Sequence, residues 1–249
     1  MGLPKIAVPE YQLTLPSTGK DIKYRPFLVK EEKLLLIAME GQNEQEILTA
    51  VQNVISECVL EDIDANTLPM FDIEYIFLWL RAKSKGEIID LKYTCPTCKG
   101  PIPVGFNIED IKMHYDEKHS TKIELTNDLG VVFKYPNVAL QKKISELPDD
   151  LTQIDMIFKT VFLCVDYIYD GETTYYSKDH TEKEMMDFLE SLTDEQFQKL
   201  SVFYETMPKL KHELKLECKN KVKQEGKKKD KVCGYTEDLT LEGLASFFE

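Results

Sequence analysis

The chain has 249 residues, 43% hydrophobic and 10% aromatic, which is enough to bury a sizeable core and argues against a disordered chain. Its net charge of −13 argues against binding nucleic acid over the whole surface, because phosphate contacts need Lys and Arg. No apolar run approaches the ~20 residues of a membrane span, and Met1–Lys5 does not read as a signal peptide, so folding in a reducing cytosol is expected.

Residues 10–27 read as a β-hairpin. Tyr11, Leu13 and Leu15 alternate, Pro16–Lys20 supplies the turn, and Ile22 and Tyr24 follow. Three helices are expected next. The first covers Val29–Met39 and stops at Gly41. The second is capped by Asn43, with Glu46 in the capping-box position, and shows Ile47, Leu48, Val51, Val54, Ile55 and Cys58 on one face. The third opens at Pro69 and carries Phe71, Tyr75, Leu78, Trp79 and Ala82, widened by Ile76, Phe77 and Leu80. A helix this apolar is either enclosed by the fold or covered by a partner. Trp79, the only tryptophan, fits a core residue or an interface anchor.

The next stretch, Ile88–Ile111, holds Cys95-Pro96-Thr97-Cys98. A second arm, Leu210–Phe248, holds Cys218 and Cys233 around a lysine-rich insert. Asp90–Thr94 leads into Cys95 as Glu213–Glu217 leads into Cys218. Each second cysteine is followed by glycine, Gly100 two residues on and Gly234 at once, suited to positive φ. Two such strand–cysteine–turn arms predict one structural zinc ion held by Cys95, Cys98, Cys218 and Cys233, four thiolates in a closed tetrahedron. Spacing alone also permits four reduced thiols with Cys95 and Cys98 as a redox pair. Cys58 and Cys164 lie in apolar helical patterns and read as buried small hydrophobes. His114 and His119 read as surface or turn residues, not ligands.

Between the arms, Lys122–Leu125 and Val131–Tyr135 predict a second hairpin. Val138–Leu147 is a short amphipathic helix. Pro148–Asp150 is expected to break it and cap a longer helix over Leu151–Tyr167, with Gln153 in the reciprocal position and Ile154, Ile157, Phe158, Val161, Phe162 and Val165 on one face. A turn at Asp170-Gly171 and an extended Tyr175-Tyr176 follow. Thr181 with Glu184 and Thr193 with Gln196 are capping boxes opening helices near 182–191 and 194–206. Pro208 closes the last. No composition break reads as a linker. The expectation is an α+β chain, mostly helical with short β-hairpins, forming a single domain or two tightly coupled lobes, with 88–111 and 210–248 together as a zinc-ribbon-like module.

Leu15–Leu35 resembles the opening of the baseplate hub family of T4-like contractile-tailed bacteriophages. Phe71–Tyr75, the Cys95–Cys98 knuckle and the general length agree with it. The resemblance implies a viral structural or morphogenesis protein made in the bacterial host cytoplasm. Two roles lie within it: a hub subunit held in the virion tail baseplate, or an assembly factor, and in either the partners are other hub and tail proteins. No G-x-S-x-G, H-E-x-x-H, P-loop or dinucleotide fingerprint is present, and a four-thiolate zinc has no open position for water, so an enzyme is not expected. The alternative is a nucleic-acid-binding zinc ribbon using the basic loop 219–231. Residues 209–231 hold ten lysines against four acids, a surplus of six that leaves −19 on the rest of the chain. That loop has no arginine or interleaved aromatics for base reading or stacking, so nucleic acid is the weaker partner.

Overall fold

The computed structural model describes residues 6–41, 43–148, 150–222 and 231–243. The N-terminal hairpin pairs β1 (Tyr11–Thr14) with β2 (Asp21–Tyr24) in the antiparallel register Tyr11↔Tyr24. Alternation turns Leu13, Leu15, Ile22 and Tyr24 inward. Against them pack α2 (Glu44–Cys58), through Val51, Val54, Ile55 and Cys58, and α3 (Met70–Lys85), through Ile73, Ile76, Phe77 and Leu80. Asn43 caps α2 by accepting from the Gln45 and Glu46 amides, and among the described residues no bond back to Glu46 closes the expected box. Before α2, α1 (Val29–Glu40) turns Glu31 inward, where it accepts from Arg25 at 2.9 Å and the Leu28 amide at 2.7 Å. Burial by itself would raise the Glu31 pKa, but these donors and Lys30 outweigh it and hold it low.

Helix α3 is apolar over most of Phe71–Leu80 because several parts of the chain cover it. One side serves the first core. Leu78 and Ala82 serve another, built with Ile89, Leu91, Phe106, Leu210, Leu214 and Leu241. Phe71 meets Tyr135 edge-on at 5.1 Å. The segment Phe71–Leu80 is therefore largely covered by the chain itself. Trp79 is half-buried beside Tyr75 and contributes to two cores. Asp72 is fully buried and accepts from the Ser17 amide at 3.0 Å and from the Ser17 hydroxyl, which ties α3 to the β1–β2 turn.

The strands form sheets beyond the expected hairpins. After β3 (Ile88–Thr94), β4 (Pro101–Asn107) and β5 (Lys112–His114), a four-stranded sheet runs β6-β7-β8-β9. Its strands are β6 (Lys122–Glu124), β7 (Leu129–Phe133), β8 (Val165–Asp170) and β9 (Thr173–Tyr176). Helices α4 (Val138–Ser145), α5 (Gln153–Cys164), α6 (Glu182–Glu190) and α7 (Asp194–Thr206) gather on it around Val131, Phe133, Val165, Met185, Leu189, Leu200 and Phe203. Thr181 and Thr193 complete the expected capping boxes.

Two expectations fail here. The helix predicted over Leu151–Tyr167 ends at Cys164, and Val165–Asp170 is a strand. Val165 and Ile168 face the core while Asp166 faces solvent, so tertiary pairing with β7 prevails over local helical spacing. The cap is Thr152 with Asp155, not Pro148–Asp150 with Gln153; Asp149 lies outside the described residues. With α5 set this way, Ile154 and Ile157 are exposed. A three-stranded sheet, β13-β10-β5, combines β10 (Lys209–Glu217) and β13 (Thr236–Glu242) with β5. Among the described residues no helix is long and apolar enough to cross a membrane.

Candidate metal centre

Both cysteine arms are hairpins rooted in the core shared with α3. In β3, Ile89 and Leu91 point inward and Asp90 and Lys92 outward; in β10, Leu214 and Leu216 point inward and Lys215 and Glu217 outward. Pairing runs from Ile88↔Asn107 to Thr94↔Pro101 in the first arm, and from Lys211↔Glu242 to Glu217↔Thr236 in the second. The cysteines occupy the two hairpin ends. His212 stacks on Phe106 at 4.6 Å and joins the arms near their roots.

The turns are the same structure built from different sequences. In the first, the Cys95 amide donates to Gly100 O (2.9 Å) and the Lys99 amide to Cys95 O (2.9 Å). In the second, the Cys218 amide donates to Tyr235 O (2.8 Å) and the Gly234 amide to Cys218 O (3.0 Å). The residue directly after each second cysteine is left-handed: Lys99 at φ 59° and Gly234 at φ 70°. Gly234 thus corresponds to Lys99 and not to Gly100, which corrects the expectation for the first turn. Gly100 leaves room for Asn220 instead, since a Cβ there would lie 2.6 Å from Asn220 Nδ2 and would displace that side chain. The insert leaves the second turn between β11 (Lys221–Val222) and β12 (Lys231–Val232), which pair antiparallel. Residues 223–230 of the basic loop and 244–248 of the second arm lie outside the described residues.

All four sulfurs lie within 4.8 Å of one another. Cys95 Sγ is 3.8 Å from Cys233 Sγ, and Cys98 Sγ is 3.6 Å from Cys218 Sγ. A zinc–sulfur bond of about 2.3 Å gives a tetrahedron whose edges are about 3.8 Å. The donor set therefore fits a zinc-sized ion, and the short contacts cross between arms. Cys95 and Cys218 are buried, Cys98 and Cys233 half-buried, around Ile102 with Tyr93, Val104 and Tyr235.

Polar hydrogens point at the sulfurs. The Gly100 amide donates to Cys98 and, with Cys218 and Asn220 donating as well, lowers its pKa to about 7 despite opposing burial. Burial, with the other three thiols, pushes Cys218 up to about 12. Four thiolates this close together coexist only with a cation among them. Asn220 was not legible as part of the site from spacing alone. Its Nδ2 lies 3.2 Å from Cys218 Sγ, 3.6 Å from Cys98 Sγ and 3.0 Å from Pro101 O, bridging the two arms.

The remaining candidates fall outside the cluster. Cys58 and Cys164 are fully buried, and burial raises both thiols, Cys58 to about 11. His114 is exposed on β5. His119 is more than a surface residue: its ring nitrogens meet Thr206 Oγ1 at 2.9 Å and Tyr135 Oη at 2.8 Å.

The fold and the four-thiol cluster define an α+β protein in which two remote strand–cysteine–turn arms close on a centre able to hold a metal. A family model described as T4 bacteriophage base plate protein matches residues 8–249, and the chain belongs to that family. Comparison with curated proteins and with solved structures gives no match. The family is one of phage baseplate structure and morphogenesis, which places the chain's partners among tail proteins.

Proposed function

We propose that this protein is a non-enzymatic subunit or assembly factor of the phage tail baseplate hub. It works through protein–protein contacts, in the host cytoplasm during assembly or in the finished tail. Cys95, Cys98, Cys218 and Cys233 hold a structural zinc ion that fixes the two arms as one ribbon-like module. The body is a single domain or two tightly coupled lobes. The observation that carries the metal assignment is convergence of four sulfurs from arms 120 residues apart. The match to the baseplate family over residues 8–249 supports the assembly role.

A zinc ion bound by four thiolates contributes fold and not reactivity, because no position is left for water or substrate. The nucleic-acid alternative depends on the 219–231 loop, most of which lies outside the described residues. A phage deleted for this gene is expected to replicate DNA and fill heads but to lack hubs or complete tails. Normal infectious tails from that phage refute the role. Mass spectrometry of purified virions then separates a retained subunit from a factor that leaves.

A further inference from the structure

The face of α1 turned away from the body has no cover among the described residues. Glu31, Leu35 and Ala38 pack inward, and Glu32 beside them pairs with Lys85. Opposite them, at helical spacing i, i+3, i+4 and i+7, stand Lys33, Leu36, Ile37 and Glu40, and Val29 extends the face one turn back. Ile37 is 56% exposed, Leu36 50% and Val29 80%. Lys33 and Glu40 form no salt bridge among the described residues.

We infer that this face pairs with the same face of a second copy of the chain, antiparallel about a two-fold axis between Leu36 and Ile37. The charge pattern selects that occupant. In a two-fold antiparallel pair, positions whose numbers have the same sum oppose each other. Leu36 then meets Ile37 of the second copy, and Lys33 meets Glu40 of the second copy, each contact formed twice. The apolar pair is central and the opposite charges flank it. A parallel pair would set lysine against lysine and glutamate against glutamate. The net charge of −13 opposes association, but the contacting face is itself neutral. Remote charges are screened beyond about 8 Å at physiological salt. Helix α1 has 12 residues, about 18 Å of length, so this interface is smaller than a standard one and makes a reversible dimer.

The test is sedimentation equilibrium of the whole zinc-loaded protein at physiological salt, up to millimolar concentration. The mass is expected to rise from 28.8 kDa toward twice that value. Ile37→Asp should hold it at the monomer mass with an unchanged circular dichroism spectrum. Lys33→Glu and Glu40→Lys should each weaken self-association about tenfold or more, since two attractive pairs become repulsive. Mixing these two variants should restore dimers, because each then supplies the charge the other lacks, and the double variant should dimerise alone. A protein monomeric throughout the range overturns the inference, including where another baseplate protein is found to cover α1. A dimer indifferent to Ile37→Asp, or single charge variants that do not recover on mixing, overturns it as well.

Discussion

Removing the metal is expected to melt the tip of the cysteine module and leave the rest folded. The local balance shows why. Fixing the backbone of about a dozen turn residues (95–100, 218–220 and 233–235) costs on the order of 12–24 kcal/mol. Burying Ile102 and parts of Tyr93, Val104 and Tyr235 returns about 3–6 kcal/mol. The turn hydrogen bonds of Cys95, Lys99, Cys218, Cys233 and Gly234 return about 1 kcal/mol each. The deficit is then about 1–16 kcal/mol, which a structural zinc's binding free energy of about 10–16 kcal/mol can offset. The roots of both arms do not share this dependence, because Ile89, Leu91, Leu210, Leu214 and Leu241 are buried against α3. Protein purified without added zinc should contain about one equivalent of it. After chelation, hydrogen-exchange mass spectrometry should show amides at 95–100, 218–220 and 233–235 losing protection while α3 and α7 keep theirs. Cys95→Ser should reproduce that pattern in metal-replete buffer. Metal-free protein with unchanged protection at these turns would falsify the assignment.

Cys58→Ser and Cys164→Ser should retain the full zinc equivalent, and each should lower stability by about 1–3 kcal/mol in urea titrations if the new hydroxyl finds no partner. Asn220→Asp should speed zinc loss to a chromogenic chelator far more than Asn220→Leu, since a carboxylate would face the Cys98 and Cys218 sulfurs; equal rates would remove Asn220 from the site's electrostatics. Asp72 gives a pH prediction. Burial raises its folded pKa above the ordinary 3.8, against the opposing Ser17 hydrogen bonds, so the folded state holds the proton more tightly than the unfolded state. Its contribution is fully present below 3.8 and is lost as pH rises through the raised folded value. Asp72→Asn should therefore flatten the stability profile across that window and match or exceed the parent at neutral pH. Asp72→Ala, which strands the Ser17 donors, should cost about 1–3 kcal/mol. A parent profile that rises with pH through this window, with no such rise in Asp72→Asn, would show the sign to be wrong.

What could be read from the sequence was what is decided locally. The capping boxes at Thr181 and Thr193 and the cap at Asn43 involve residues two or three apart, and all three occur. The N-terminal hairpin was legible because its turn residues and its alternation agree. The convergence of the four cysteines was legible because the strand–cysteine–turn unit occurs twice, and repetition survives even where the loops differ. What failed depended on distant partners. Val161 to Ile168 is a short apolar run that fits either period, and pairing with β7 decides it. Asn220 looks like any loop asparagine until the first arm brings Gly100 against it. Lys99 carries the left-handed conformation that glycine was expected to supply, at the position Gly234 holds in the second turn.

The apolar surplus of the chain makes the same point about function. Phe71–Leu80 is the most apolar helical stretch, for which the sequence left open cover by the fold or by a partner, and three sets of neighbours enclose it. Helix α1, with its Leu34–Ile37 run, leaves Leu34, Leu36, Ile37 and Met39 outside. Hydrophobicity along the sequence measures what must be removed from water; the packing determines whether the chain or a partner removes it. In α3 the chain does so, because residues from both halves of the sequence, Leu15 to Val59 on one side and Ile89 to Leu241 on the other, close around it. In α1, among the described residues, one face is met, and Lys85–Glu32 and Arg25–Glu31 hold the helix with the opposite face outward. In a baseplate protein, apolar surface that the fold leaves uncovered is available to assembly contacts, and among the described residues α1 carries such a face.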